Sequence, residues 1–321
     1  MSEVDTTGTS GSSMAQCDPD NDDADCVDPN APYCTQDGMC IGCGEGDCAV
    51  LDPEKPVCGP EGLCVECLAN SDCLESAPVC DADTATCQAC TLHEECEHAC
   101  NLETGECFPD NVIFVENTPD ICSDADDNDG HDEAMPICRL SVAFTRVEPG
   151  VPATIKLKTG QLPQNQANAV PPGVTLAIVR NGDTPVQLVR NGSEPALSVS
   201  GGSLVFVDRI GALSMPAGLT TQLIACDGAS LWLERVTVFN GKVGVLARQC
   251  MLHLRRSVVF QNVNGGIDVT ENTQDGMSKL WLENSHVTEN GDLFGVRASN
   301  NSFLDVVYST IGGNAKNVPV P

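Results

Sequence analysis

Sixteen of the chain's twenty cysteines fall within its first 107 residues, and sulfur is the chemistry this sequence offers most plainly. They form four blocks of four: Cys17, Cys26, Cys34 and Cys40; Cys43, Cys48, Cys58 and Cys64; Cys67, Cys73, Cys80 and Cys87; Cys90, Cys96, Cys100 and Cys107. Consecutive blocks meet through two residues, Ile41-Gly42, Val65-Glu66 and Gln88-Ala89. Even, repeated spacing of this kind marks a disulfide framework made in an oxidising compartment. Each block can close on itself with two bridges, and four cysteines allow three pairings. Zinc binding by thiolates is the rival chemistry, because Cys-x2-Cys steps recur at 40/43, 64/67 and 87/90. No histidine spacing matches those steps, and His93 and His98 stand only five apart in one block, so oxidation is the preferred reading.

A second chemistry is offered by the segment from Cys122 to Cys138, a natural cysteine pair around a 15-residue acidic loop. Asp124, Asp126, Asn128 and Asp132 alternate there, and Gly130 permits a sharp turn. Hard cations take several carboxylate and amide oxygens from such alternating positions, so calcium is the candidate ion, although no cofactor is required. The loop departs from an EF-hand: the glycine comes one place late, and Met135 stands where a bidentate glutamate would close the site. A solvated acidic loop is the competing reading.

These residues must be positioned by very different scaffolds. Residues 1–140 hold 33 of the 46 acids with only Lys55 and Arg139 as bases, whereas residues 141–321 hold 13 acids against 14 bases. The net charge of −30 therefore belongs to the first part. Such a surface repels phosphate backbones and anionic lipid, which argues against nucleic acid as a partner. Residues 1–16 read as a disordered polar tail, rich in Ser, Thr and Gly and without an apolar signal core. A disulfide framework needs export, so the export signal is expected upstream of Met1, where a lipid-anchored cysteine would also fit. No transmembrane run occurs. Residues 17–110 form the acidic cysteine-rich region; large apolar residues are scarce, so bridges replace a core.

Residues 111–321 change rhythm. Val112-Ile113-Phe114-Val115 reads as the first strand, followed by the opening loop 122–138. Then Leu204-Val-Phe-Val, Leu231-Trp-Leu, Leu252-His-Leu, Leu280-Trp-Leu and Leu304-Asp-Val recur at steps of 27, 21, 28 and 24 residues. That period suits one coil of a β-solenoid. Two further short strands follow each leucine pair, and an asparagine (Asn240, Asn262, Asn290, Asn314) stands nine or ten residues after the first leucine. Stacked amides can bond from coil to coil. Period-2 alternation turns the leucines inward and Trp232 and Trp281 outward, on equivalent positions two coils apart. Aromatic rings there could stack on sugars or anchor a protein partner, or simply pack across coils. Cys226 and Cys250 precede equivalent strands, and a coil spacing of about 4.8 Å puts them within bridging range.

On these motifs, residues 112–321 resemble the right-handed parallel β-helix proteins, the wide class that includes pectate lyases and many secreted bacterial surface proteins. Val112–Val115, the Pro136-Ile137-Cys138 closure of the acidic loop, Pro172-Gly-Val-Thr-Leu176 and the Pro195–Gly202 stretch carry the resemblance beside the leucine repeat. Residues 17–107 resemble the four-cysteine repeats of secreted bacterial proteins and lipoproteins. The expected fold is all-β: a short right-handed parallel β-helix of about five coils preceded by a core-poor disulfide region. The resemblance implies an extracellular or outer-surface location. It also implies where an enzyme of the class would keep its acids and base: Asp268, Glu289, Asp292 and Arg297, with Glu271 and Asp275 nearby in sequence. No nucleophile elbow, zincin or phosphate-loop motif is present. The preferred function is an exported surface protein whose β-helix offers a face to a polysaccharide or a surface protein, with Trp232 and Trp281 as candidate binding residues. The alternative is a calcium-dependent polysaccharide lyase or glycoside hydrolase.

Overall fold

The computed structural model describes residues 17–18, 26, 33–43, 48–118, 120–158, 160–164, 168–190, 193–214, 222–270, 277–291, 293–299 and 301–314. The polar tail expected over residues 1–16 lies outside the described residues. The chain divides into two compact units, Met1–Cys90 and Thr91–Pro321.

The first unit is a string of small hairpins. Tyr33–Cys34 pairs with Cys40–Ile41, Val57–Cys58 with Cys64–Val65, and Val79–Asp81 with Thr86–Gln88, all antiparallel. In each, the third and fourth cysteines of a block face one another across the hairpin: Cys34 and Cys40, Cys58 and Cys64, Cys80 and Cys87. Side by side on one face, they reach back to the first and second. The bridges are Cys17–Cys34 and Cys26–Cys40, Cys43–Cys58 and Cys48–Cys64, Cys67–Cys80 and Cys73–Cys87. One of the three open pairings, first-to-third and second-to-fourth, is thus used in all three blocks. The hairpin turns need a left-handed residue, supplied by Gly38 (φ 74°), Gly62 (φ 77°) and, less comfortably, Ala85 (φ 52°).

The second unit opens with the rest of the fourth block. Its hairpin Cys100–Asn101 with Glu106–Cys107 carries the Cys96–Cys107 bridge, and Cys100 is likewise oxidised. The remainder is a right-handed parallel β-helix of three sheets with in-register strands. Among the described residues the first sheet has eight strands, Val112–Val115, Ala153–Leu157, Thr175–Arg180, Leu204–Asp208, Ser230–Glu234, Met251–Arg255, Lys279–Glu283 and Phe303–Val307, each bonded to the next. The second sheet has seven and the third five. Five coils between Thr175 and Ala298 carry all three strands, and partial coils extend them at both ends.

Inward columns explain the leucine repeat. Ile113, Ile155, Ile178, Val207, Leu233, Leu254 and Leu282 stack in register, beside Leu176, Val205, Leu231, Leu252 and Leu280, all at most 2% exposed. Each such side chain contributes about 1.5–3 kcal/mol by leaving water. At the amino end, the loop after the first strand folds back on it: Phe114 donates to Gly130 O, Ile137 to Phe114 O and Glu116 to Ile137 O. That pairing covers the strand edge. Leu140 and Phe144 of the following short helical turns, and Val147 just after them, join the same core.

The corners are held by two side-chain ladders. After the first sheet, Val236 N–H donates to Ser257 Oγ, Ser257 N–H to Ser285 Oγ and Ser285 N–H to Ser309 Oγ, each at 3.0 Å. After the second sheet, Asn262, Asn290 and Asn314 bond amide to amide at 2.9 and 3.0 Å. Asn240 is not part of that ladder. The equivalent position in its coil is Gly241, whose N–H donates to Asn262 Oδ1 (2.9 Å). Asn240 occupies the preceding left-handed position (φ 60°), as do Gln261 and Glu289 in later coils. Counting nine rather than ten residues from the leucine moves a residue from the inside of the corner to its outside. The Cys226–Cys250 bridge joins a third-sheet strand to the corner one coil on (Cα–Cα 5.9 Å).

Candidate functional site

Pairing register places one outward column of the first sheet as Phe206, Trp232, His253 and Trp281. The rings stack along the helix axis: Trp232 on His253 at 3.8 Å and His253 on Trp281 at 4.1 Å, nearly parallel. Phe206 is fully buried beneath Phe108 and Ala99 of the fourth cysteine block, and Trp232 packs at the margin of that cluster. The two tryptophans therefore spend ring faces on the intervening histidine. Burial, with Arg255 nearby, holds His253 down to about 4, so the sandwich is uncharged at neutral pH.

The neighbouring outward column is charged: Asp208, Glu234, Arg255 and Glu283. The residue after each of these strands turns the corner, and in four successive coils it or the strand's last residue is arginine: Arg180, Arg209, Arg235 and Arg256. The last three are left-handed (φ 57°, 52° and 49°). Arg235 forms a double fork, Nε and Nη2 to Asp208 (2.8 and 2.9 Å) and Nη1 and Nη2 to Glu94 of the fourth cysteine block (2.6 and 2.7 Å). Arg209 adds a contact to the same Glu94 oxygen (2.6 Å). The Arg235 hydrogen bonds hold Glu94 down to about 2. Burial pushes Asp208 up in spite of its arginine partners.

Glu234 is 2% exposed and neither carboxylate oxygen has a hydrogen-bond partner; Arg256 and Arg255 approach to 3.4 and 3.7 Å. Burial raises its pKa. A buried acid with a raised folded pKa costs stability when charged, and the cost disappears as pH falls from that raised value through the ordinary one. Glu234→Gln is therefore expected to stabilise the protein at pH 7 by about 1 kcal/mol. The gap should close on acidification into the usual glutamate range. Thermal melts across pH check this; a variant less stable than wild type at pH 7 contradicts it.

On the second-sheet side of the corner lies a groove of about 300 Å³. Arg180, Arg209 and Arg235 form one wall, Gln187 and Gly211 the floor, and Phe239 the far end. Gln187, Gly211 and Thr237 occupy one outward column, so the missing side chain at Gly211 opens the depression. Phe239 is supported from the next coil by Phe260 (5.2 Å, 19°).

The other sequence candidates are placed as follows. Asp268 and Arg297 are register partners on adjacent third-sheet strands and form a two-pronged ion pair, Arg297 Nε to Asp268 Oδ1 at 2.8 Å and Nη2 to Oδ2. Asp268 is 5% exposed, and the guanidinium lies over Phe294 (4.5 Å). Each charge is neutralised by the other. Glu289 sits at the left-handed corner after the second sheet, accepting from Gln261 Nε2 (3.2 Å). Asp292, Glu271 and Asp275 lie outside the described residues. In the acidic loop, bridged by Cys122–Cys138, the polar atoms knit the loop itself. Asp124 accepts from the Cys138 and Arg139 backbone and from the Arg139 side chain. Asn128 bonds Ser123 O, Pro136 O and Gly130 N, Asp132 caps Ala134 N, and Asp126 faces Arg146 at 3.9 Å. Among the described residues, Asp124, Asp126 and Asp132 do not converge on a common point.

A family model described as a family of unknown function, DUF8331, matches residues 5–113. No curated protein matches the chain. Among solved structures, the chain is similar to the crystal structure of pectate lyase Pel9A, with 13% identity, a TM-score of 0.35, and 62% of each chain covered.

The arginine row went unread in the sequence. Its signal was there: Val179-Arg180, Asp208-Arg209, Glu234-Arg235 and Arg255-Arg256 each end a leucine- or valine-rich strand, in phase with the coil.

Proposed function

We propose that the protein is an exported interaction protein, located outside the cell or on its outer surface, that holds an acidic polysaccharide in the groove beside the arginine row. The observation that carries this is the groove wall: Arg180, which forms no ion pair among the described residues, stands beside Arg209 and Arg235, whose guanidinium groups also hold Glu94 and Asp208, and the wall faces a supported phenylalanine across a floor opened by Gly211. Guanidinium groups meet carboxylates in bidentate fashion, and an aromatic ring stacks on a sugar face. A coil repeat offers such groups at even intervals, which suits a polymer better than a single small molecule. The disulfide framework supports a location in an oxidising compartment. The cysteine-rich region then acts as a stiff acidic extension, repelling polyanions and leaving the groove as the place where they are held. Turnover is not part of this reading, since Asp268 and Arg297 are engaged with one another.

Affinity electrophoresis in gels cast with polygalacturonate, alginate or a neutral glucan tests it. Retardation is expected in the two acidic gels, fading as salt rises toward molar concentrations. Phe239→Ala is expected to weaken binding about tenfold. Equal mobility in all three gels would sink the proposal, and release of new reducing ends would replace it with an enzymatic one.

A further inference from the structure

The cysteine-rich unit has a groove of its own, of about 470 Å³, where its second and third blocks meet. Pro53 and Pro56 of the second block line it, with Leu74 and Ala77 of the third and Glu66 of the two-residue joint. Both contributing segments are hydrogen-bonded turns: Lys55 N–H donates to Asp52 O (2.9 Å) and Ala77 N–H to Leu74 O (3.0 Å). The Cys73–Cys87 bridge ties the second turn to Cys87, another lining residue. Cys87 N–H donates to Glu66 Oε2 (2.8 Å), which fixes the joint. The groove is thus built before anything enters it, so an occupant has little to order but itself. Leu74 is 77% exposed. A unit that has almost no apolar side chains to spare leaves this one in water beside a groove, as binding surfaces do.

The charged lining is wholly acidic: Glu54, Glu66 and Asp72. Asp72 Oδ2 accepts from Leu68 and Ala69 N–H (2.9 Å each), and Glu66 is held through its Oε2. One oxygen of each thus anchors the carboxylate, and the second can accept from a ligand. Residues 43–90 carry ten acids and one base, Lys55, whose Nζ lies 3.9 Å from Asp52. Their field draws cations toward the groove. A metal ion does not answer the arrangement, because among the described residues these carboxylates do not converge on a common point. A neutral apolar ligand would leave the carboxylates unmatched, and a purely charged one would leave Leu74 in water. The complement is an apolar side chain with a cationic one beside it.

We propose that this groove receives a segment of a partner protein in which a leucine-sized apolar side chain is flanked by lysine or arginine. The apolar side chain lies against Pro53, Pro56 and Leu74, and the flanking cations meet Glu54, Glu66 and Asp72. None of these residues takes part in the polysaccharide groove, so neither reading rests on the other.

The test uses the full, oxidised, 15N-labelled chain without polysaccharide, at physiological salt. Two peptides of equal charge are titrated, Lys-Leu-Lys-Leu-Lys and Lys-Ser-Lys-Ser-Lys. The first is expected to saturate in the micromolar range, moving the backbone amides of Leu74, Ala77 and Cys87 most. The second should bind at least about tenfold more weakly. Leu74→Ser, a change at an exposed position that leaves every bridge in place, should weaken the leucine peptide about tenfold. Glu54→Gln should weaken it about threefold and flatten its salt dependence. A glucosamine oligomer, cationic but without apolar side chains, should behave like the serine peptide. No saturable shift with the leucine peptide overturns the inference. Equal affinity for the two peptides, shifts spread evenly over the acidic surface, or unchanged affinity in Leu74→Ser also overturns it, leaving only general attraction of cations. Tighter binding of the glucosamine oligomer than of the leucine peptide would replace the protein partner with a cationic sugar.

Discussion

Treated with a reductant and alkylated, the protein is expected to lose residues 33–90 to an acid-specific protease within minutes, while the coils from Thr175 to Ala298 survive. Among the described residues up to Cys90, every buried hydrophobic side chain is a cysteine: Cys40, Cys43, Cys48, Cys64, Cys67 and Cys90. Ordering that stretch costs about 1–2 kcal/mol of backbone entropy per residue, and no apolar core offsets it. Each native bridge in a small domain is worth about 2–5 kcal/mol, so losing six of them removes the whole driving force. The coils hold one bridge, Cys226–Cys250, whose loss costs about 3 kcal/mol against a core of stacked leucines and valines. Mass analysis of the fragments reads the outcome. Equal protection of the first unit with and without reductant, or free thiols in native material, would show that something other than sulfur holds it.

The largest single-residue effect should come from Asn290→Ala. Asn290 Oδ1 accepts from the Asn262 N–H (3.1 Å) and Nδ2 (2.9 Å), and its own Nδ2 donates to Val259 O (3.0 Å), Thr288 O (3.1 Å) and Asn314 Oδ1 (3.0 Å). The residue is 1% exposed. Removing the amide strands several buried donors and acceptors at about 1–3 kcal/mol each, so a loss on the order of 4 kcal/mol is expected. Asn240→Ala, outside the ladder and exposed, should cost about 1 kcal/mol, chiefly for its left-handed backbone. Urea midpoints of the two variants make the comparison. Equal losses would mean that the ladder is not what holds the corner.

How much of this was legible follows from what each residue must satisfy. Leucines recur because an inward position in every coil must be apolar, and that constraint writes itself at a fixed period. Asp268 and Arg297 could be placed opposite one another because both stand in third strands of adjacent coils. The coils before Leu204 were harder to see. Their inward residues are Ile, Leu and Val without the Leu-x-Leu step, and the first two strands are separated by the 116–152 insertion. The arginine row escaped because charges at solenoid corners look like solvated surface. The partner that gives Arg235 its role, Glu94, is 141 residues away in sequence. Glu234 reads as an outward, soluble residue by alternation, and is buried because the arginine side chains flanking it close over it. The serine ladder stood five residues after the first leucine of three coils, at Ser257, Ser285 and Ser309, but a serine near a turn has too many uses to single out.

The crossed bridges of the cysteine blocks also limit how far the chain can be stretched. Cys17 and Cys40 are 23 residues apart, a span of about 80 Å if drawn straight. The Cys17–Cys34 bond short-circuits that path, leaving only the six residues from Cys34 to Cys40, or about 20 Å, to give under tension. With the two following blocks wired in the same way, the slack left in the string is a small fraction of its contour. Covalent bonds rather than packing then set how far the cysteine blocks can extend.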